Sequence, residues 1–190
     1  NRANVVARDG TPNPETAWSF SVIAKVFEDA RRRFANRCKS FGIYGHSAVG
    51  QFVHRMVLMD AKAPISVAVA ANAGWYTMPD PATHWPYGLG GIDGAEAKLR
   101  RGLALKLVVL LGDADTDPNH RQLSRAAGAM AQGPNRFERG NNFFRRAREQ
   151  ADRLGVPFNW ERGEVAGVAH SNRGMSAAAA EHLARHVSCD

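Results

Sequence analysis

The spacing of apolar residues along this chain changes several times, and each change marks an element. Residues 1–17 have no period and carry Gly10, Pro12, Asn13 and Pro14, a turn-rich opening. From Ser19, the residues Val22, Ile23, Val26, Phe27, Ala30 and Phe34 recur at helical spacing with charges between them, which predicts an amphipathic helix. Ser40 to Tyr44 is a short apolar strand candidate. Phe52, Val53, Met56 and Val57 predict a second helix. Ile65 to Ala71 is uncharged and rich in β-branched residues, as a buried strand should be. Asn72 to Leu89 lacks a period, reads as a loop, and holds Trp75, Tyr76, Trp85 and Tyr87. Leu105 to Leu111 is a continuous apolar run ended by Gly112, the clearest strand of all. Phe143, Phe144, Ala147, Ala151 and Leu154 form one face of a helix stopped by Gly155 and Pro157. Phe158 to Val165 is a less regular last strand, and Met175, Ala179, Leu183 and Val187 mark a closing helix.

Strands that alternate with helices argue for a mostly parallel sheet covered on both faces, a three-layer α/β/α architecture. At 190 residues this is one domain, large enough to bury a substantial core. Hydrophobic content of 44% and charged content of 23% are ordinary for a globular chain, and no apolar run approaches the roughly 20 residues that span a bilayer, so no membrane partner is expected. The net charge of +7 raises the question of nucleic acid. Arginine supplies most of it and is widely spread. Only Arg31-Arg32-Arg33 and Arg145-Arg146 cluster, both on helical segments where a solvated face is the simpler reading, and no basic stripe interleaved with aromatics appears. Nucleic acid is not expected as a partner. Cys38 and Cys189 lack metal-ligand spacing; they pair only if the fold brings them together, which sequence does not decide, and unpaired thiols are the expectation otherwise.

In open parallel sheets, ligands bind beyond the carboxyl ends of the strands. Three such ends carry chemistry here. Ser47, in Gly45-His46-Ser47-Ala48, follows the first strand. Asp113, Asp115 and Asp117 follow the Leu105–Leu111 strand, and His170 follows the last one. Each alone is weak, since a serine between small residues is common and aspartates after a strand are most often turn residues. Together, and in the order Ser, Asp, His, they suit nucleophilic catalysis. A serine hydroxyl attacks well only when a base removes its proton, and a buried carboxylate fixes the tautomer of that base.

These residues and their surroundings resemble the α/β-hydrolase superfamily, most closely its bacterial serine esterase and polyester-depolymerase-like members. The resemblance rests on Trp18-Ser19-Phe20, Tyr44 to Ala48 with Gln51 to Arg55, Ala71 to Tyr76, Leu111 to Asp117 and Gly167 to Asn172. It implies Ser47 as nucleophile, His170 as base and Asp115 as acid, with Asp113 and Asp117 as runners-up. It also implies the Ala48 backbone N–H as an oxyanion donor. His46, Trp75 and Tyr76 would contact the substrate, a small or polymeric ester, and no cofactor is implied. Peptidase or acyltransferase chemistry would use the same trio.

Two departures stand out. Val49 occupies a position where the family's serine turn usually has glycine, with Gly50 one residue later. The family sheet also has several strands before the serine turn, with a loop carrying a second oxyanion donor, which residues 1–17 cannot supply. The chain therefore reads as the carboxyl-terminal portion of such a domain, and if it is really this short, association through an exposed sheet edge is expected. The competing reading is a hydrolase-like binding or interaction module that no longer catalyses. Two metal patterns fail: Asp113, Asp115 and Asp117 start like a calcium loop but meet Pro118 and Ser124 where glycine and glutamate are needed. His182 and His186 lack the metalloprotease glutamate, so no metal is expected.

Overall fold

The computed structural model describes residues 3–60, 62–187 and 189. Four strands, β1 (Phe41–His46), β2 (Ile65–Ala71), β3 (Leu107–Gly112) and β4 (Glu161–Val165), form one sheet in the order β1-β2-β3-β4. All three pairings are parallel, as the alternation of strands and helices predicts. The helices are α1 (Phe20–Arg33), α2 (Ala48–Met59), α3 (Ala95–Ala104), α4 (Ala127–Met130), α5 (Arg136–Leu154) and α6 (Asn172–His186).

The two faces of the sheet follow from the two-residue period of the strands. Ala68 and Ala70 of β2, with Leu107, Val109 and Leu111 of β3, join the larger core beneath α2, α3 and α5. Val67, Val69, Val108 and Leu110 point the other way, onto Met175 and Ala179 of α6. The alanines on the first face let α2 approach closely, and the small pleat they leave is filled by Val53, Met56 and Val57. The α1 helix is held less deeply. Phe20 packs on Phe52 at 5.1 Å and Phe27 on Phe41 at 4.9 Å, while Val22, Val26 and Phe34 of its apolar stripe are exposed.

One element carries no signal in the sequence pattern, and one expectation needs correction. The stretch after Leu89 contains a full helix, α3, which sequence spacing did not mark; its buried residues include Lys98 and Gly102, so no clean apolar stripe betrays it. Cys38 and Cys189 are not free thiols: they form a disulfide that ties the segment before β1 to the segment after α6. The fold places residues that lie 151 apart in sequence beside each other, which no spacing rule could disclose. Such a closure typically adds about 2–4 kcal/mol.

Because every strand runs the same way, the carboxyl ends of β1, β2, β3 and β4 emerge on one edge of the sheet. Ser47, Asn72, Asp115 and His170 all lie just beyond those ends.

Candidate active site

The turn from β1 into α2 holds Ser47 at φ 57° and ψ −119°, a conformation that L-residues avoid. It is held there from both sides. The Ser47 N–H donates to the Ala71 carbonyl at 2.9 Å, and the Ser47 carbonyl accepts from the Gln51 N–H at 3.0 Å. The turn tolerates almost nothing at its glycines: a Cβ on Gly45 would lie 2.5 Å from the Val49 carbonyl oxygen, and one on Gly50 2.8 Å from that of Ala71. Val49 itself points outward and is 56% exposed. The close approach of helix to sheet thus falls on Gly50, and a β-branched residue at position 49 crowds nothing.

The side chains beyond three strand ends meet in one line. His170 Nε2 lies 3.0 Å from Ser47 Oγ, and His170 Nδ1 lies 2.8 Å from Asp115 Oδ2. Asp115 is 3% exposed. An ionised carboxylate only accepts, so Nδ1 of His170 carries the proton and Nε2 faces the serine hydroxyl as an acceptor. That tautomer can take a proton from Ser47. The other two aspartates are occupied elsewhere: Asp113 accepts the Gly167 N–H at 2.7 Å, tying the end of β3 to the loop that leads to His170, and Asp117 accepts the Asn119 N–H at 2.8 Å, a turn role.

The loop bearing His170 is fastened at several points. Asn72, buried after β2, accepts the Gly112 N–H at 2.8 Å and donates to the Ala169 carbonyl at 3.1 Å, so one side chain links three strand ends. Leaving the buried Gly112 N–H without a partner would cost about 1–3 kcal/mol. Tyr44 Oη donates to Asn172 Oδ1 at 2.7 Å, and Ser171 caps α6 by accepting the Gly174 N–H at 3.2 Å. Gly112 must be glycine, since a Cβ there would sit 2.2 Å from the Val168 carbonyl oxygen.

Ser47 opens onto a cleft of about 430 Å3 whose walls include Ala48, Gln51, Trp75, Arg121 and Ser124. Ala48 is the first residue of α2, so its N–H belongs to the unpaired first turn at the positive end of the helix. Trp75 is in the cleft wall. Tyr76 is not: it is fully buried, with its ring stacked on Phe143 at 4.4 Å and burial pushing its phenol up. The expectation that it contacts substrate is corrected, because its ring is packed wholly inside the core against Phe143 and His54. A larger cavity of about 510 Å3, lined by Met78, Trp85 and Tyr87 among others, does not include the serine.

Three buried arginines escape sequence reading altogether. Arg55 lies over the Trp75 ring at 4.2 Å and donates to Thr77 Oγ1 at 3.0 Å. Arg139 donates to the carbonyls of Gly74 at 2.6 Å and Ser124 at 3.0 Å, bracing two walls of the cleft. Arg136 reaches Asp115. Arginine on a helix normally reads as solvated surface, and nothing in the local pattern marks these as exceptions.

His46, just ahead of the serine, packs its ring 4.7 Å from that of His170, and its Nε2 is buried without a hydrogen-bond partner. Burial, then the neighbouring His170, lowers its pKa to about 4. His54 is wholly buried beneath the serine turn, with Nδ1 donating to the Gly50 carbonyl and Nε2 accepting the Thr77 N–H, both at 3.0 Å; burial holds it well below the usual histidine range. Both are neutral when folded, whereas the unfolded chain takes up protons below about pH 6.5. Their contribution is therefore intact above that pH and is lost as pH falls from 6.5 toward 4. After allowance for the partial exposure of His46, that residue alone accounts for about 1–2 kcal/mol. The melting temperature followed by circular dichroism should fall through this window, and less steeply in His46→Gln. A flat profile would contradict the assignment.

Among the described residues, no group of three metal-ligating side chains is gathered in one place, and no helix is long and apolar enough to cross a membrane. His182 lies 3.8 Å from Glu161.

No family model matches the chain, and no curated protein does. Solved structures do. A poly(aspartic acid) hydrolase-1 from Sphingomonas sp. KT-1 is 45% identical with a TM-score of 0.93, over 95% of this chain and 69% of that one. A poly(3-hydroxybutyrate) depolymerase from Bordetella parapertussis is 30% identical with a TM-score of 0.90, over 98% of this chain and 64% of that one. A siderophore hydrolase from Aspergillus nidulans, 14% identical at a TM-score of 0.52 over 96% of this chain and 62% of its own, shares the fold. The chain thus spans about two thirds of the length of these proteins.

Proposed function

The chain belongs to the α/β-hydrolase superfamily, and from that premise we propose that it is a serine hydrolase that cleaves carboxylic esters through an acyl-enzyme. Ser47 is the nucleophile, His170 the base and Asp115 the acid. The observation that carries this reading is the unbroken relay from Ser47 Oγ to His170 Nε2 at 3.0 Å and from His170 Nδ1 to Asp115 at 2.8 Å.

In the first half-reaction Ser47 Oγ attacks the ester carbonyl carbon while its proton passes to His170 Nε2. Negative charge collects on the former carbonyl oxygen, where the Ala48 N–H at the head of α2 stabilises it. One such donor is typically worth about 3–4 kcal/mol of barrier. The carbon–oxygen bond to the alcohol then breaks, and the imidazolium returns the proton to the leaving alkoxide. In the second half-reaction water attacks the acyl-serine, again losing its proton to His170, and the acid departs with Ser47 restored. Asp115 stays ionised throughout and stabilises the imidazolium. Nothing in this cycle calls for a cofactor.

The neighbouring structures are of enzymes named for polymers, one a polyester and one a polyamide. An oligomeric or polymeric acyl chain is therefore the substrate class favoured here, with the exposed Arg121 in the cleft wall able to meet a carboxylate. Turnover should be measured on p-nitrophenyl esters of graded chain length, 3-hydroxybutyrate oligomers and poly(aspartic acid). Ester cleavage that disappears in Ser47→Ala is the expected result. Cleavage of the poly(aspartic acid) amides alone, with every ester left intact, would overturn the ester assignment.

A further inference from the structure

Behind Asp115, on the side away from His170, lies a charged group that the reaction does not touch. Arg136 opens α5, is 1% exposed, and directs one terminal nitrogen of its guanidinium to Asp115 and the other to His120. Nη1 donates to Asp115 Oδ1 at 3.2 Å, which leaves Oδ2 for the His170 Nδ1–H at 2.8 Å. Nη2 lies 3.2 Å from His120 Nδ1. An arginine can only donate, and the Gln122 N–H also donates to that same His120 nitrogen at 3.2 Å. His120 Nδ1 is therefore an acceptor, the ring is neutral, and its proton sits on Nε2. The His120 ring in turn stands edge-on to that of His170 at 5.4 Å.

A guanidinium kept only to neutralise a buried carboxylate would be expected to satisfy all its donors. This one does not: its Nε is buried without a hydrogen-bond partner. Both arms are committed to the relay and to its neighbour while the third donor is left unmet, a costly arrangement in the interior. The backbone of the same helix adds to the hold, since the Phe137 N–H donates to the Asp115 carbonyl at 3.3 Å, and the Asn135 side chain caps the helix by accepting the Glu138 N–H at 2.9 Å.

We infer that Arg136, steadied by His120, is a positioning residue for the hydrolytic reaction: it fixes which carboxylate oxygen of Asp115 faces His170 and in what orientation. This rests on the serine-hydrolase reading above and deepens it. Arg136 meets neither substrate nor the reacting atoms, and its effect passes through Asp115 to His170. Consequently its loss should slow the chemistry and leave substrate binding alone. Arg136 itself is not among the residues that line the cleft.

The test compares Arg136→Ala and Arg136→Lys with the wild-type protein on a p-nitrophenyl ester, with Ser47→Ala as the blank. Arg136→Ala should lower kcat by roughly 100-fold, the scale of loss from a small misplacement of a catalytic group, with KM within about twofold of wild type. Guanidinium ion added to the buffer should restore at least part of that loss in Arg136→Ala and none in Ser47→Ala. Arg136→Lys keeps the charge but loses the planar fork, so it should recover only part of kcat. Melting curves accompany each variant. If Arg136→Ala does not fold, Arg136→Lys decides: a reduced kcat at unchanged KM and near-native melting supports the inference. A kcat within twofold of wild type in either variant overturns it, as does a loss shared between kcat and KM that guanidinium does not repair. A wild-type protein without Ser47-dependent turnover overturns the hydrolase reading and this inference with it, whereas an active wild type with indifferent Arg136 variants removes this inference alone.

Discussion

Ser47→Ala should lower ester turnover by about 10^4 to 10^6-fold while leaving the fold intact. The size follows from the relay. Without Oγ, His170 has no proton to accept at 3.0 Å, and only the Ala48 N–H and the cleft remain to assist water directly. Stability should hardly change, for two reasons. Ser47 precedes α2 but makes no capping hydrogen bond with its side chain, so its removal leaves no helix donor newly unmet. Alanine also suffers at φ 57° as serine does. Glycine does not, so Ser47→Gly should be as inactive as Ser47→Ala yet more stable, by about 1 kcal/mol. That pairing, activity lost and stability gained at one position, is what a strained nucleophile should show. The check is steady-state turnover beside thermal melts of the three proteins. Substantial turnover in Ser47→Ala would mean that another group attacks.

Asp115→Asn carries the second large effect, and the surroundings of Asp115 dictate why. An asparagine here is nearly isosteric and would keep the packing, but its two ends are no longer equivalent. Arg136 Nη1, which can only donate, demands the amide oxygen at the position of Oδ1. The amide NH2 is then turned toward His170, where Oδ2 accepts at 2.8 Å today. His170 Nδ1 must become the acceptor, its proton moves to Nε2, and Nε2 can no longer take the serine proton. An inverted tautomer of this kind costs about 10^4-fold in kcat. Binding should be spared, so KM should stay close to wild type. A loss much smaller than tenfold would show that Asp115 does not set the tautomer. Asp113→Asn and Asp117→Asn each keep an oxygen that can accept the Gly167 or Asn119 N–H, so they should leave kcat nearly unchanged.

Much of this was readable from the chain because it depends on local pattern. Runs such as Ile65–Ala71 and Leu107–Gly112 are buried on both faces of a parallel sheet, so they are almost wholly apolar and stand out. Parallel strands also force their ends onto one edge, which is why residue type and order pointed to Ser47, His170 and one of Asp113, Asp115 and Asp117, with the family resemblance favouring Asp115. Their meeting in space belongs to the structure. What stayed hidden depends on contacts across the fold. Asn72 looks like any residue after a strand, yet it bonds to Gly112 and to Ala169, 97 positions away. Arg55, Arg136 and Arg139 are buried cations that find their acceptors in distant loops, and the Cys38–Cys189 bond depends on α6 returning beside β1. Val49 departs from the family pattern, yet it points into solvent while Gly50 makes the close contact.

The central claim is that Ser47 becomes covalently acylated during turnover. Mixing the protein with a slowly deacylating p-nitrophenyl ester, quenching in acid and mapping the peptides by mass spectrometry tests it most directly. The expected result is one acyl group per active chain, carried on the peptide that contains Ser47, formed in a burst of one p-nitrophenol per site and absent from Ser47→Ala. Steady ester hydrolysis with no adduct on that peptide, or with the acyl group on another residue, would contradict it.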